Sequence, residues 1–351
     1  MRKVMGMAGI ALAFLAVSAP VPASAFEKSI EFYGVVDVSL GVEKAGAVKR
    51  IGFEGGELDG SRIGVKGKAA FSDDFTGVFV LEAGFDPGTG QSEQDDRLFG
   101  RQAYAGVEGA FGRVTGGRQY SPAFVALDPL EATGGAARSV GILHRTSDSV
   151  RRGYNVRFDD MVKYRTPSWG GFFIDAGYWV GDENASAESQ VRKEGSGSGV
   201  AAVFDGEILS VAAVTQRRFV NDTGGLATTR GGGVALDFGP VKLFAQATRD
   251  RESGSAGTGE ARTASVGVRF RILGKNTLAL SVARRDESGE PAATDVSGAS
   301  LYYLRALDRE TTMYLAYSRL ANKVGAKYRW NFDPQPGEAV AAVMVGLRHK
   351  F

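Results

Sequence analysis

The stretch Leu98–Gly135, LFGRQAYAGVEGAFGRVTGGRQYSPAFVALDPLEATGG, decides how the rest of the chain is read. Two short extended segments, each carrying an arginine, are joined across Gly109 to Gly112. They run into an acidic, Pro- and Gly-bearing loop that has no strand period. Such a sequence describes a wall followed by something that leaves the wall. The loop, with Asp128 and Glu131, is expected to fold back inside whatever the wall encloses.

Outward from that stretch, hydrophobicity alternates with period two, the signature of half-buried strands. In Ile30 to Leu40, Ile30, Phe32, Val36, Val38 and Leu40 fall on one face, and Glu31, Asp37 and Ser39 on the other. Ile63 and Val65 alternate with Arg62, Lys66 and Lys68. Phe75, Phe79, Leu81 and Phe85 oppose Thr76 and Glu82, and Phe158, Val162 and Tyr164 oppose Arg157, Asp159, Lys163 and Arg165. The second half repeats the pattern as hairpins with tight turns at Asp205-Gly206, Gly239-Pro240, Gly274-Lys275-Asn276 and Leu307 to Glu310, separated by longer polar loops. The irregular run from Tyr120 to about Arg152 is longer than connections usually are, and such loops are commonly functional. Sixteen segments can be counted, ending with Val340 to Phe351.

The beginning of the chain supplies the solvent. Arg2 and Lys3 precede an apolar run from Val4 to Val17 and then Ala23-Ser24-Ala25, which reads as an export signal over residues 1–25 with cleavage before Phe26. The mature domain is then 26–351. Of 42 basic residues, removal of Arg2 and Lys3 leaves 40 against 40 acidic ones, so net charge favours no partner. No basic face or motif for nucleic acid is present, and the absence of cysteine excludes a disulfide framework. Mean hydropathy is −0.12, as for a water-soluble protein. Strands that alternate lipid-facing apolar with lumen-facing polar residues average to such a value, however. A mature chain of 326 residues, at roughly 20 per strand and connection, fits about sixteen tilted membrane strands. An open sheet of that size would expose its edges in lipid, so it is expected to close. The fold class is therefore an all-β transmembrane antiparallel barrel of 16 strands with an inward-folded constriction loop.

Several blocks, in order, resemble the general diffusion porins of Gram-negative outer membranes, of the betaproteobacterial and neisserial type. They are Ser61 to Phe85, Arg97 to Phe124, VKYRTPSWGGF (Val162 to Phe172) and VGLRHKF (Val345 to Phe351). The resemblance covers nearly the whole mature chain and is loose in the loops. It implies a homotrimer in the outer membrane that passes ions and small hydrophilic solutes by passive diffusion. It places Arg62, Arg101 and Arg157 on the wall of the pore constriction, facing Asp128 and Glu131 on the loop. The family's loop usually reads Pro-Glu-Phe-Gly-Gly, whereas this chain has Leu130-Glu131-Ala132-Thr133-Gly134-Gly135. Lys66, Glu82, Arg113 and Arg118 are expected as secondary lumen charges. Phe351 resembles the C-terminal signal read by the barrel-assembly machinery, and the loop from Asp86 to Arg97 the one that latches onto a neighbouring subunit. The wall arginines suggest a mild anion preference.

Other readings stay open at this point. A substrate-selective channel on the same fold could line an anion path with Arg269, Arg271 and Arg285. A non-conducting barrel serving as adhesin or anchor would place function in the external loops, which here are short to moderate and carry no repeat. Tyr33, Trp169, Phe172, Tyr178, Tyr302, Tyr317 and Phe351 are candidates for the aromatic girdles at the membrane interfaces. No catalytic constellation, cofactor motif or metal-ligand spacing can be assembled around the two histidines, His144 and His349.

Overall fold

The computed structural model describes residues 28–145, 155–181, 195–220, 225–254, 257–272, 274–288, 294–331 and 333–351. The expected export segment lies outside the described residues, as does the side chain of His144.

Strand β1 (Lys28–Ala45) shows why the alternation closes a barrel. Its even positions are turned outward, with Ile30 67% and Phe32 80% exposed, while Asp37, Ser39 and Glu43 are buried on the inner side. β2 (Val48–Gly55) pairs with the upper half of β1, and β3 (Arg62–Ala70) with its lower half. These two segments therefore occupy a single stave, interrupted by an inward excursion at residues 56–61. β4 (Phe75–Gly84), β5 (Gln102–Gly109), β6 (Gly112–Tyr120), β7 (Arg157–Arg165), β8 (Phe172–Trp179) and β9 (Gly197–Asp205) continue antiparallel. β10 (Leu209–Phe219), β11 (Leu226–Asp237), β12 (Val241–Gly254), β13 (Gly257–Ile272), β14 (Asn276–Ser288), β15 (Val296–Ala306), β16 (Thr311–Asn322) and β17 (Val340–Lys350) complete the circuit. β17 pairs back onto β1 from Val35↔Lys350 to Ala45↔Val340, so the sheet has sixteen staves and no free edge. No described helix is long and apolar enough to cross a membrane; the crossing is made by strands.

The excursion at 56–61 departs from the sequence reading, which passed from Leu40 to Ile63 without a strand between. One side chain satisfies two of its backbone groups: the Leu58 and Asp59 amides donate to Asp37 Oδ2 at 2.6 and 2.8 Å. Tyr314 on β16 donates to the other oxygen of the same carboxylate at 2.6 Å.

After β6 the chain leaves the wall, as the aperiodic sequence predicts. Ser121 caps α1 (Pro122–Leu127), accepting from the Phe124 amide at 3.2 Å, and Pro122 supplies the fixed φ suited to a first helical turn. Short 3-10 turns follow at Asp128–Leu130 and Val140–Arg145. This loop lies inside the barrel. Ala123, Ala126, Leu127, Leu130, Ala132 and Ala136 share an apolar cluster with inward-facing Ala212, Val214, Ala235, Phe244 and Tyr302. Inward glycines make the bed: a methyl group at Gly267 would lie 2.7 Å from the Ala132 side chain, and one at Gly298 would lie 2.6 Å from that of Val140. The loop thus fills the β9–β17 side of the lumen and leaves the β3–β7 side uncovered.

Two aromatics fall on the inner face instead of in a girdle. Tyr302 is fully buried and donates to Glu57 at 2.6 Å, and Tyr33 donates to Glu82 at 2.9 Å. Trp169, Phe172, Tyr178, Tyr317 and Phe351 are exposed.

Candidate functional site

The uncovered wall carries the three arginines singled out in the sequence, and the fold brings them together. Arg62 begins β3, Arg101 immediately precedes β5 and Arg157 begins β7. Glu82 on β4 lies between the first two. Arg101 Nε donates to its Oε1 at 2.9 Å, and Arg62 Nε stands 3.5 Å from its Oε2. Tyr120, the last residue of β6, joins the other two: its hydroxyl accepts from Arg101 at 3.1 Å and from Arg157 at 3.0 Å. The Arg157 guanidinium also lies 4.6 Å from the centre of the Tyr120 ring, which stacks on Phe124 of α1. A loop aromatic therefore fixes the aim of wall cations. Arg62 and Arg101 share Glu82, Arg62 also reaches Asp59 at 3.9 Å, and among the described residues no carboxylate pairs with Arg157, so the three guanidinium groups are only partly compensated.

Of the secondary charges, Glu82 proves central. Lys66 pairs with Glu31 at 2.9 Å, and Arg113 with Glu108, which Lys68 also reaches at 2.6 Å. Lys163 and Arg165 converge on buried Asp175 at 3.2 and 2.8 Å. A cavity of about 140 Å³ beside Val125 of α1 is lined by Tyr104, Arg113, Tyr120, Lys163 and Arg165. Arg118 lies apart from this group. It sits opposite Ala103 and joins Arg97 on Asp159, at 2.6 and 2.8 Å. Arg118 simply shares the outward parity of Val114 and Gly116. A β-bulge lies here, where two steps on β6 (Gly117 to Gln119) meet three on β7 (Phe158 to Met161), but the extra residue is on β7.

The loop carboxylates do not face the arginines. Glu131 is 2% exposed and accepts from the Thr133 and Gly135 amides at 2.7 and 3.1 Å, Ser139 Oγ at 2.9 Å and Ser281 Oγ of the wall at 2.6 Å. It pins the loop to the opposite wall. Asp128 is half-buried against Gly135 of the same loop. At the loop's far end the polarity is the reverse of that expected. Arg138 on the loop meets Glu57 of the inward excursion at 2.7 Å and the wall carboxylates Glu54 at 3.2 Å and Glu43 at 3.7 Å. Burial works against its charge, yet these carboxylates hold the guanidinium above its ordinary pKa. No period marks Arg138 in the sequence, so only the position of the three acids on a neighbouring wall could have found it.

The arginines offered as an alternative anion path are otherwise engaged. Arg269 donates to the Ala132 carbonyl at 2.7 Å, Arg271 pairs with Asp237 at 2.8 Å, and Arg285 is fully buried between Asp250 and Glu287, both at 2.8 Å. At the other end of the chain Phe351 exchanges both backbone hydrogen bonds with Gly34, and His349 sits beside Thr311 at 3.0 Å.

A family model described as Gram-negative porin matches residues 10–325. The chain is 30% identical over 382 residues to an outer membrane porin protein of Bordetella pertussis, across 93% of this chain and 95% of that protein. Among solved structures it superposes on an anion-selective porin from Comamonas acidovorans with TM-score 0.82, at 22% identity over 93% of this chain and 100% of that one. The trimer form of OmpT, an outer membrane protein of Vibrio cholerae, gives TM-score 0.64 at 15% identity, over 92% and 99%. A closed barrel with an internal loop, matched along almost its full length, leads to one assignment: the chain belongs to the Gram-negative porin family and is a channel protein of the outer membrane.

Proposed function

We propose that solutes cross between α1 and the β3–β7 wall, and that Arg62, Arg101 and Arg157, set by Glu82 and Tyr120, form the narrow point and give a mild anion preference. The observation that carries this is the local excess of cations. Arg62, Arg101, Arg157, Lys163, Arg165 and Arg113 gather there against Asp59, Glu82, Glu108 and Asp175. Clusters of like charge in a water-filled gap lower the barrier for counter-ions and raise it for co-ions. The acids that could offset them, Glu43, Glu54 and Glu57, are turned to Arg138 behind the loop. Asp128 and Glu131 act in this reading as supports that hold the loop in place.

The working unit is a homotrimer, as in the trimeric form of the Vibrio protein, with residues 1–25 removed on export and Phe351 presented to the assembly machinery. Single-channel recording of the refolded mature protein across a salt gradient tests the reading. Current is expected in steps of three, with a reversal potential on the anion side. Arg157→Gln is expected to move it most, because among the described residues that cation has no carboxylate partner, and Arg118→Gln to leave it unchanged. A folded, inserted protein without conductance, or a reversal potential indifferent to Arg62, Arg101 and Arg157, overturns the proposal.

A further inference from the structure

The cations along the passage do not end at Arg62. On β17, Arg348 and Lys350 take the lumen side, since Val345 and Leu347 take the outer one. Lys350 pairs across the seam with Val35 of β1, and Val35 pairs in turn with Arg62 of β3. A single buried valine therefore separates Lys350 from the first arginine of the narrow point. Arg348, two residues earlier, stands opposite Asp37. The inward excursion of residues 56–61 sets one carboxylate among the three cations. Asp59 Oδ2 lies 3.0 Å from both Arg348 Nη1 and Lys350 Nζ, and Oδ1 lies 3.9 Å from Arg62 Nη2. Thr312 of β16 steadies the Arg348 fork, accepting from Nη2 at 3.1 Å. Among the described residues Asp59 is the only carboxylate that pairs with Arg348 or Lys350. Its backbone is fixed independently, the amide donating to Asp37 at 2.8 Å.

Asp59 and Glu82 both serve this arc of cations, and burial separates their tasks. The Glu82 side chain is 4% exposed, behind the guanidinium groups that it aims. That of Asp59 is 27% exposed and that of Lys350 beside it 46%, so both meet the water through which ions pass. A carboxylate that bridges three cationic groups takes the position that a passing anion would take. Being part of the chain, it competes there at the effective concentration of a tethered ligand, roughly millimolar or more.

We infer that Asp59 is a specificity-determining residue: Arg62, Arg348 and Lys350 form a second anion station at the seam, and Asp59 occupies it, which keeps the anion preference mild. The station lies on the arginine-lined passage proposed above and rests on that reading. Its ligand class is small inorganic anions and carboxylates, because a carboxylate is the group that the three cations already hold. With Asp59 neutral, the station carries three positive charges where it had a net two. One unit charge at about 4 Å in water changes the local concentration of a monovalent ion about fivefold.

Single-channel recording of the refolded mature protein in potassium chloride tests the assignment. Asp59→Asn retains the side-chain volume and the amide bond to Asp37. It is expected to raise the chloride-to-potassium permeability ratio, read from the reversal potential, about fivefold. Its unit conductance is expected to exceed that of the unaltered protein at about 0.1 M salt and to match it at about 1 M, where screening shortens the reach of a charge to about 3 Å. A merely loosened excursion would show no such convergence. Asp59→Glu keeps the charge and is expected to behave as the unaltered protein does, whereas Lys350→Gln, which removes a station cation without touching the excursion, is expected to lower the ratio. A ratio in Asp59→Asn within twofold of the unaltered one, while Arg157→Gln still shifts the potential, overturns the inference and leaves the passage standing. No shift in either variant overturns both. Should Asp59→Asn fail to insert, Lys350→Gln decides alone, and an unchanged ratio there overturns the station.

Discussion

Replacing Arg138 by methionine separates the two tasks assigned to the internal loop. The side chain is 6% exposed and faces three carboxylates, of which Glu57 is fully buried and Glu43 nearly so. Removing one partner of a buried ion pair costs about 3–5 kcal/mol, because the remaining charge is stranded. Methionine retains the volume, so the loss is electrostatic. Ser281 still donates to Glu131, Ser300 still accepts from the Val140 amide, and the strand ladders are untouched. The perturbation therefore falls on docking of the loop end. A loss of 3 kcal/mol multiplies the undocked fraction about 150-fold. Single-channel current is the assay, read as the frequency of brief excursions from the open level. The effect is expected to persist in molar salt, because screening acts weakly on a buried pair. Lys323→Met, which breaks an exposed pair with Asp295, is expected to change nothing measurable. Excursions within twofold of the unaltered protein in Arg138→Met would refute the latch.

Other perturbations address the bed, the bulge and a turn. Gly267→Val presses on Ala132 and costs about 1–3 kcal/mol. It pushes the loop off its bed toward the arginines, so unitary conductance is expected to fall; an increase would place the passage on the other side. Gly117 has φ +126°, and a methyl group there would lie 2.2 Å from the Ala103 carbonyl. Gly117→Ala is expected to lower unfolding stability by about 1–3 kcal/mol and, by disturbing Tyr120, to shift the reversal potential, both measurable on the refolded protein. Asp308, in the turn between β15 and β16, accepts from the Glu310 and Thr311 amides at 2.8 and 2.6 Å, which holds its carboxyl below the usual value of 3.8. The sign follows: its contribution is present above 3.8 and disappears as pH falls through the depressed value. Titration of the Thr311 amide by NMR is expected to show that low midpoint, and Asp308→Asn to remove it.

The staves were readable in the sequence because each buries one face, and burial imposes period two. Asp37 and Ser39 were placed correctly by parity alone. The same rule, applied to aromatics, would have put Tyr302 with Ser300 and Tyr33 with Glu31 on the inner face; their ring chemistry had suggested a membrane girdle instead. β2 escaped notice because Val48 to Gly55 mixes Lys, Arg and Glu with apolar residues and ends at Gly55-Gly56. The three wall arginines came from resemblance, but the ties of Arg101 and Arg157 to Tyr120 did not, since that residue ends a strand and begins a loop. Glu131 was legible as an acid on the right loop and not as to its direction. Its partner Ser281 is 150 residues away, and no local pattern encodes that meeting.

The broken stave beside β1 also has a bearing on the order of events during biogenesis. Part of what holds its inward excursion lies near the other end of the chain: Glu57 meets Tyr302 across 245 residues, and Asp37, which holds the Leu58 and Asp59 amides, meets Tyr314 across 277. Bringing such distant groups together carries a large loop-closure entropy, of the same order as that of the seam itself. Neither contact exists until the seam between the first and last strands has formed. The seat for Arg138 is therefore completed late, and the loop that narrows the passage cannot settle in a barrel that has not yet shut. A partly built wall holds no finished gate, and a gate in its resting place certifies that the wall around it is whole.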